Sequence, residues 1–357
     1  MIIEKYQSNL TKLCREFDIQ LGAADFEKLA NEIIGDKNER SILEFWKKLS
    51  NIPSVNQEKA KNLLLSYLGA EKVEEALENL RETSNVPLPK LMQDLDELVG
   101  LKSVKQQVRD LMNYNQIQKL RVENGLSKSH KTLHMAFLGN PGTAKTTVAR
   151  IVGRMYKSMG LLSKGQFIEA SRTDLIAEYQ GQTATKVKRL VNRAKGGVLF
   201  IDEAYSITEN DHTDSYGREC LTELTKALED YREDLVVIVA GYFDLMQQFF
   251  ESNPGLKSRF NTFITFDDYS LDELVGIFDY TCRQNDYELS DEAREKVRVW
   301  LQEKLEEKDD NFSNGRLVRN LFDDVTMAQA KRLAGSTTRL DKLDLITLQI
   351  VDVPERE

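Results

Sequence analysis

The segment HMAFLGNPGTAKTTVARIV, residues 134–152, decides how the rest of the chain is interpreted. It opens with a short apolar run, His134–Leu138, which is predicted to be a β-strand. It ends in a predicted helix, because from Val148 onward the apolar residues recur at helical spacing as far as Met159. Between the strand and the helix lies GNPGTAKT, residues 139–146, the position that a phosphate-binding loop requires. The segment therefore predicts a nucleotide site at the start of this helix.

The chemistry of such a loop assigns roles to its residues. Its glycines let backbone N–H groups point at phosphate oxygens, and the helix that follows adds its positive end. Lys145 would reach the β- and γ-phosphates, and the Thr146 hydroxyl would bind Mg²⁺. Ala144 stands where glycine usually precedes the lysine, and its methyl group is tolerable at negative φ but costly at positive φ. The predicted nucleotide-binding residues of the loop are Gly139, Asn140, Pro141, Gly142, Thr143, Ala144, Lys145, Thr146 and Thr147.

A second motif, VLFIDE at residues 198–203, is an apolar strand that ends in two carboxylates. Burying an unpaired charge is costly, so two acids at the tip of a strand need solvent, a cation or a reaction. The carboxyl ends of parallel strands line the ligand crevice of an open α/β sheet. Asp202 is therefore predicted to hold Mg²⁺ and Glu203 to polarise an attacking water; an exposed pair of strand-end acids is the alternative.

The remaining pattern divides the chain into three parts. Residues 1–86 show helical periodicity throughout and are predicted to form an all-helical N-terminal domain that docks a partner. Residues 87–266 alternate helices with short apolar strands, which predicts an α/β domain with a parallel sheet. Residues 267–357 return to helix and are predicted to be a small lid domain, and Thr83–Lys90, with two prolines, is predicted to be a domain boundary or a linker. The other strand candidates are Gln166–Ala170, Leu235–Ala240 and Phe263–Phe266.

Composition disfavours several classes of protein. The 357 residues include 49 Lys and Arg against 58 Asp and Glu, a net charge of −9, which is unfavourable for a protein built to grip nucleic acid. No apolar run approaches the roughly 20 residues that span a bilayer. The cysteines Cys14, Cys220 and Cys282 lie far apart, as expected of reduced thiols. We expect a cytoplasmic protein with no membrane partner.

Several further motifs, together with the two above, resemble those of the CbxX/CfxQ family of AAA+ ATPases, which includes red-type Rubisco activases, sporulation ATPases and ATPases of type VII secretion. The resemblance runs from about Leu98 through Arg319, roughly two-thirds of the chain. It implies a P-loop AAA+ module with a five-stranded parallel sheet, a C-terminal helical lid, and ATP and Mg²⁺ as cofactors. The motifs are GNPGTAKTTVAR (139–150), EYQGQTATKVK (178–188), VLFIDEAY (198–205), VVIVAGY (236–242), SNPGLKSRF (252–260) and NGRLVRN (314–320).

The resemblance also implies roles for individual residues. Arg259 matches the arginine finger that enters the site of a neighbouring subunit, and such fingers can contribute roughly 10³–10⁵ in rate. Arg316 matches the second sensor, which contacts the phosphates from the lid, whereas Arg319 is predicted to lie on the helix surface. Tyr242 is a candidate first sensor, with a structural tyrosine as the equal alternative. The adenine is expected near Val99 and Gly100, where backbone groups would contact it.

Tyr179, Gln180 and Gly181 match the pore loop, in which an aromatic side chain grips a threaded peptide with little sequence selectivity. Gln180 replaces the usual apolar middle residue. Five basic residues follow without an intervening acid, and this cluster is open to three interpretations: attraction of an acidic peptide or nucleic acid, a solvated helix face, or a complement to acids of the next subunit. The five are Lys186, Lys188, Arg189, Arg193 and Lys195.

Together these features predict a ring-forming ATPase, expected to be a homohexamer with its arginine finger in trans, that remodels or threads a protein partner of unknown identity. One alternative is a nucleic-acid motor of the same fold, which the acidic net charge disfavours. Another is a nucleotide-dependent scaffold with little turnover, which Ala144 and the uncertain first sensor leave open.

Overall fold

The computed structural model describes residues 86–127, 132–177, 179, 181–208, 215–309, 312–335 and 340–355. These residues belong to one compact unit, Asn85–Glu357. The helices predicted within residues 1–85 lie outside the described residues, and the predicted domain boundaries stay predictions. Among the residues that are described, no helix is long and apolar enough to cross a membrane.

A five-stranded parallel sheet forms the centre of the unit, with strand order β2-β3-β4-β1-β5. The three inner strands are almost completely buried, whereas the edge strand β5 alternates buried and exposed residues. This agrees with near-continuous apolar sequence in strands that are covered on both faces. All five predicted strands are confirmed to within one residue at each end. They are β1 (Met135–Gly139), β2 (Phe167–Ala170), β3 (Val198–Ile201), β4 (Val236–Gly241) and β5 (Thr262–Phe266).

Helices cover both faces of the sheet and form two apolar clusters, one on each side. One cluster includes Phe137, Phe200 and Val152 and extends into the helices after β5, while the other includes Leu199, Val237 and Phe249. The helices before β5 are α1 (Leu88–Glu97), α2 (Lys102–Glu123), α3 (Lys145–Ser158), α4 (Arg172–Leu175), α5 (Thr183–Ala194), α6 (Ser215–Asp230), α7 (Phe243–Glu251) and α8 (Pro254–Lys257).

After β5 the chain forms a helical lid, which we define as residues 270–355. The predicted apolar stripes face its interior: Leu274, Phe278 and Cys282 on one helix are buried against Val297 and Leu301 of the next. A two-stranded parallel sheet was not predicted, because two-residue strands carry no periodic signal. The lid elements are α9 (Leu271–Gln284), β6 (Glu288–Leu289), α10 (Asp291–Glu306), α11 (Gly315–Ala334), α12 (Lys342–Ile346), β7 (Thr347–Leu348) and a 3₁₀ turn (Ile350–Asp352).

The segment Thr83–Lys90 is predicted to be a boundary or a linker, and a linker does not extend to Lys90, because α1 begins at Leu88. Pro87 is the N-cap residue, and Pro89 lies in the first turn of the helix. Proline is compatible with these positions because the first N–H groups of a helix have no intrahelical partner. The two prolines therefore start a helix here.

Candidate nucleotide site

A cavity of about 490 Å³ opens at the carboxyl edge of the sheet, between the sheet and the lid. The phosphate-binding loop, the tips of β3 and β4, and two lid helices all contribute to its wall. The lining residues are Glu97, Leu98, Val99, Gly139, Pro141, Gly142, Ala144, Lys145, Thr146, Thr147, Asp202, Glu203, Gly241, Tyr242, Tyr269, Ile277, Tyr280, Thr281, Gly315, Arg316 and Arg319. The structure thus brings the two motifs of the sequence analysis into one cavity.

Two glycines of the loop are required by close approaches of the backbone. A Cβ on Gly139 would lie 2.2 Å from the carbonyl oxygen of Phe266 on the neighbouring strand. A Cβ on Gly142, where φ is +71°, would lie 2.3 Å from the carbonyl oxygen of Ser313 in the lid. The loop is therefore packed between the sheet on one side and the lid on the other. Asn140 and Thr143 lie in the loop but outside the cavity wall, and the Thr143 hydroxyl donates to the Asn140 carbonyl at 2.7 Å.

Ala144 has the conformation for which its methyl group is costly. Its φ of +67° and ψ of +23° place it in the left-handed region, directly before the first residue of α3. For a residue with a Cβ this conformation costs roughly 1–2 kcal/mol relative to the right-handed form. The loop therefore keeps the backbone geometry that glycine favours and stores a small amount of strain next to Lys145.

Lys145 is buried, with 9% of its surface exposed, and points back at its own loop. Its Nζ donates to the carbonyl oxygens of Gly139 and Asn140, both at 2.8 Å. Burial lowers the pKa of the Lys145 ammonium to about 8; the nearby Asp202 carboxylate opposes this shift and the Arg316 guanidinium adds to it. A phosphate group that entered the cavity would lie near this poorly solvated side chain, and its negative charge would favour the protonated form of Lys145.

The acids of the second motif lie at the tip of β3 and line the same cavity as the loop. The Glu203 N–H donates to the Asp202 carboxylate at 3.0 Å, and the Glu203 side chain is exposed. Glu203 has φ of +48°, a left-handed conformation that non-glycine residues adopt rarely and that is often found at functional sites. The Asp202 carboxylate is therefore held by a backbone N–H, whereas the Glu203 side chain is exposed in the cavity wall.

The cavity wall offers oxygen ligands that a magnesium ion could use. Thr146 and Asp202 both line it. In the described part of the chain, no group of three or more His, Cys, Asp or Glu residues is arranged to hold a metal. Mg²⁺ does not need such a cage, because it is usually bound by one or two carboxylates together with waters and substrate phosphates. Thr146 and Asp202 could therefore hold an ion that arrives with a nucleotide.

The lid contributes two arginines, of which sequence reasoning selected only one. Arg316 and Arg319 both line the cavity, and both are exposed. Arg319 was predicted to lie on the helix surface, where it is exposed, and the i, i+3 spacing also puts it on the same face of α11 as Arg316 and so in the cavity wall. That spacing was visible in the sequence and was the signal that could have found it.

Of the two residues predicted to lie near the adenine, one lines the cavity and the other does not. Val99 lines the cavity together with Leu98 and the lid residues Ile277 and Tyr280, whereas Gly100 does not belong to the wall. Gly100 has φ of +64°, and a Cβ there would lie 2.3 Å from the Glu273 carboxylate on α9. Its role in the structure is to let this segment pass close to the first lid helix.

Tyr242 lines the cavity at the end of β4, partly buried, with its ring centroid 5.8 Å from that of Tyr205. This position is compatible with both interpretations of Tyr242, since a packed ring can still present its hydroxyl to a nucleotide. Its assignment as first sensor stays a prediction.

Arg259 and Tyr179 do not belong to the described wall of the cavity. The Arg259 side chain is 27% exposed; its Nη1 donates to the Gly255 carbonyl at 2.6 Å, and its Nε lies 3.5 Å from the Glu229 carboxylate. Tyr179 is 67% exposed and Gly181 has φ of +81°, while Gln180 lies outside the described residues. Within the described residues, neither side chain lines the cavity of its own chain.

Several residues of the basic cluster on α5 contact groups of the same chain. Lys186 donates to the Ile176 carbonyl at 3.0 Å, and Lys188 lies 3.4 Å from the Glu223 carboxylate. The Lys195 ammonium lies 3.5 Å from the centre of the Tyr231 ring. These contacts favour the interpretation of the cluster as a helix face and support no nucleic-acid site.

Comparisons with known proteins agree with this geometry. Residues 135–268 match the ATPase family associated with various cellular activities (AAA), and residues 270–357 match the AAA lid domain. The chain is 39% identical over 274 residues to the chloroplastic ribulose bisphosphate carboxylase/oxygenase activase of Cyanidioschyzon merolae, covering 76% of this chain and 93% of the relative. It is 38% identical over 295 residues to stage V sporulation protein K of Bacillus subtilis, covering 82% and 91%.

A third relative, protein CbbX of Cereibacter sphaeroides, is 40% identical over 265 residues, covering 74% of this chain and 85% of the relative. Among solved structures, the AAA domain of FIGL-1 is similar, with a TM-score of 0.51 and 19% identity over 72% of this chain and 80% of that one, which shows the shared fold. The fold and cavity define a nucleotide-binding ATP hydrolase with a lid. The chain belongs to the CbxX/CfxQ family of AAA+ ATPases.

Proposed function

We propose that this protein is a ring-forming ATPase that uses ATP hydrolysis to remodel or thread a protein partner. The observation that carries this proposal is the position of Arg259, which matches the arginine finger of the family but lies outside the described wall of its own chain's cavity. Lys145 and Arg316 approach from the loop and the lid, but Arg259 does not belong to the wall that its own chain forms. A second copy of the chain would supply that arginine through head-to-tail association, and such association forms a ring when the rotation between copies closes.

Arg259 is suited to act on a neighbouring molecule. It follows the short helix α8, whose first turn is fixed because the Asn253 side chain accepts the Leu256 N–H at 3.1 Å. Among the described residues, the guanidinium contacts Gly255 and Glu229, and its side chain remains partly exposed. A planar cation held at a surface in this way could neutralise charge that develops on a γ-phosphate in the adjoining site.

Within one site we assign the following roles. Lys145 contacts the β- and γ-phosphates, Thr146 and Asp202 hold the Mg²⁺ ion, and Glu203 polarises the attacking water. When bound, the ion neutralises phosphate charge. Arg316 senses the phosphates from the lid, so that the lid angle depends on the nucleotide, a hinge-type transition.

A protein is the proposed substrate because of the exposed pore-loop tyrosine and because the names of relatives include an activase of an enzyme. Tyr179 presents most of its ring to solvent at the start of the loop before α5. Such a ring contacts many peptide sequences with little selectivity. The N-terminal region is proposed to dock the partner or an adaptor, and the protein is proposed to act in the cytoplasm.

Specific activity at decreasing protein concentration tests the proposal. Turnover per chain under saturating Mg·ATP should fall on dilution as rings dissociate, and Arg259→Ala should abolish turnover while nucleotide still binds. Arg232→Ala is a matched control, since Arg232 is also paired with Glu229, at 2.7 Å. Turnover per chain that is independent of dilution, or equal loss in both variants, would refute the shared site.

The pore-loop assignment needs a separate measurement. A Glu203→Gln chain, which should bind ATP without turning it over, is first used to capture the partner. Tyr179→Ala should then keep basal ATPase activity and lose the stimulation by that partner, whereas Tyr179→Phe should keep both. Equal loss of both activities in Tyr179→Ala would assign Tyr179 a structural role, and stimulation by DNA that falls steeply with salt would favour a nucleic-acid motor.

A further inference from the structure

The phosphate-binding loop and the lid meet at a single carboxylate, that of Asp268, two residues after the end of β5. Asp268 Oδ1 accepts the side-chain amide of Asn140 in the loop at 3.0 Å and that of Asn314 in the lid at 2.7 Å. Its Oδ2 lies 3.6 Å from the Lys308 ammonium. One oxygen therefore joins two residues that are 174 positions apart, 314 − 140, and that belong to the phosphate-binding loop and the lid, both of which contribute to the nucleotide cavity.

Hydrogen-bond chemistry fixes the orientation of both amides. The Tyr269 N–H donates to Asn314 Oδ1 at 2.9 Å, so the other terminal atom of Asn314 is the nitrogen, and this nitrogen also donates to the Phe312 carbonyl at 2.9 Å. An ionised carboxylate only accepts, so Asn140 must present its nitrogen to Asp268. Asn314 is completely buried and makes three side-chain hydrogen bonds.

These bonds hold a strained backbone. Asn314 has φ of +46° and ψ of −121°, a conformation that costs of the order of 1–3 kcal/mol for a residue with a side chain. This conformation starts α11 and brings the Gly315 N–H to the Gly142 carbonyl of the phosphate loop at 3.1 Å. Arg316, which lines the cavity, is the next residue. The geometry of Asn314 thus sets the position from which Arg316 enters the cavity.

We propose that Asp268 is a positioning residue for ATP hydrolysis, because its carboxylate ties Asn140 of the phosphate loop to Asn314 of the lid and so places Arg316 against the phosphates. This inference rests on the proposed role of Arg316. Without the Asp268 acceptor, two amide donors lose their shared partner and the strained start of α11 loses one of its three anchors. Arg316 then enters the cavity from a less defined position, and small misplacements of a group at a reaction centre reduce the rate strongly.

Steady-state hydrolysis by single and double variants tests the proposal. Asp268→Ala should lower kcat by roughly tenfold, with a smaller change in the Kd for ADP. Asp268→Asn should restore kcat to within about threefold of wild type, because its amide oxygen still accepts from Asn140 and Asn314. The control is Asp267→Ala, which removes the same charge from the exposed preceding residue and should leave kcat unchanged.

The decisive comparison is the double variant Asp268→Ala/Arg316→Ala. If Asp268 acts through Arg316, the double variant hydrolyses ATP at about the rate of Arg316→Ala alone, because the two effects are not additive. If the two losses in kcat multiply, Asp268 acts independently of Arg316 and the inference is overturned. If Arg316→Ala alone has wild-type kcat, the proposed role of Arg316 has failed and the inference fails with it.

A second pair covers the case in which Asp268→Ala does not fold. Asn140→Ala removes only the loop side of the connection and leaves the lid bonds of Asn314 in place. Asn140→Ala should lower kcat in the wild-type background and have little further effect in the Arg316→Ala background. Multiplied losses in this pair would also contradict the proposal.

Discussion

The lowered pKa of Lys145 predicts that nucleotide binding takes up protons. In the free protein, burial holds this pKa at about 8. Phosphate charges beside the ammonium raise the pKa in the complex towards or above its ordinary value of about 10.4. Binding therefore favours the protonated lysine. The affinity that the charged lysine contributes is fully present below about pH 8 and is lost as the pH rises through that value.

The magnitude follows from the fraction of free protein that carries the charge. At about pH 8 half of the Lys145 side chains are neutral, so each bound nucleotide should take up about half a proton. At about pH 9 only about one-tenth remain protonated, so the apparent Kd should be about tenfold weaker than at about pH 7, a difference of about 1.4 kcal/mol.

Titration calorimetry with ADP at about pH 8, in two buffers with different ionisation enthalpies, measures this uptake directly. Lys145→Arg is the control, because a guanidinium stays charged over this whole range and should abolish both the uptake and the pH dependence. Binding heats that do not depend on the buffer would refute the reasoning. Uptake that persists in Lys145→Arg would assign the proton to another group.

Three further predictions follow from single residues. Glu203→Gln should bind ATP normally and lose turnover in a phosphate-release assay; hydrolysis at the wild-type rate would remove Glu203 as the base. Ala144→Gly should raise the apparent melting temperature of the nucleotide-free protein by about 2 °C, because the relief of left-handed strain exceeds the entropy gained by the unfolded chain by about 1 kcal/mol. The control Ala330→Gly, within α11, should lower the melting temperature. A decrease in both variants would contradict the claim that Ala144 is strained. Burial lowers the pKa of His134 to about 4, so the free energy of unfolding should fall by roughly 2 kcal/mol through this residue as the pH falls from about 6.5 to about 4.5. If the denaturant midpoints of wild type and His134→Gln decline equally over this range, His134 is not the cause of the decline.

The sequence carried enough information to place the sheet and the cavity. Inner strands such as β3 and β4 are buried on both faces and must be apolar along their whole length, so they stand out between amphipathic helices. Because parallel strands end at one edge, motifs that follow β1 and β3 had to meet there. The amino-acid sequence alone was therefore sufficient to bring the loop residues together with Asp202 and Glu203.

The backbone conformation of individual residues could not be predicted from the sequence in the same way. The sequence left two outcomes for Ala144, and only the structure shows φ of +67°. The same limit applies to Pro87 and Pro89, since proline both interrupts helices and begins them, and neighbouring contacts decide between the two. The local sequence restricts the backbone to a few allowed conformations, and tertiary packing determines which of them is adopted.

The connection through Asp268 was also invisible in the sequence. Asn140, Asp268 and Asn314 are ordinary polar residues on three separate segments, and nothing in their spacing indicates that they share one hydrogen-bonding centre. Their association depends on the register of β5 beside β1, in which Gly139 lies opposite Phe266, and on the docking of the lid. Long-range polar networks of this kind follow from three-dimensional packing alone.

The central claim is that one chain's nucleotide cavity is completed by Arg259 of another. Mixing Arg259→Ala protein with Lys145→Ala protein tests this most directly, since neither should hydrolyse ATP alone. In a mixed assembly, an Arg259→Ala chain keeps an intact nucleotide cavity and can receive Arg259 from a Lys145→Ala neighbour. The account predicts that phosphate release reappears and is greatest near equal proportions; no release at any mixing ratio would contradict it.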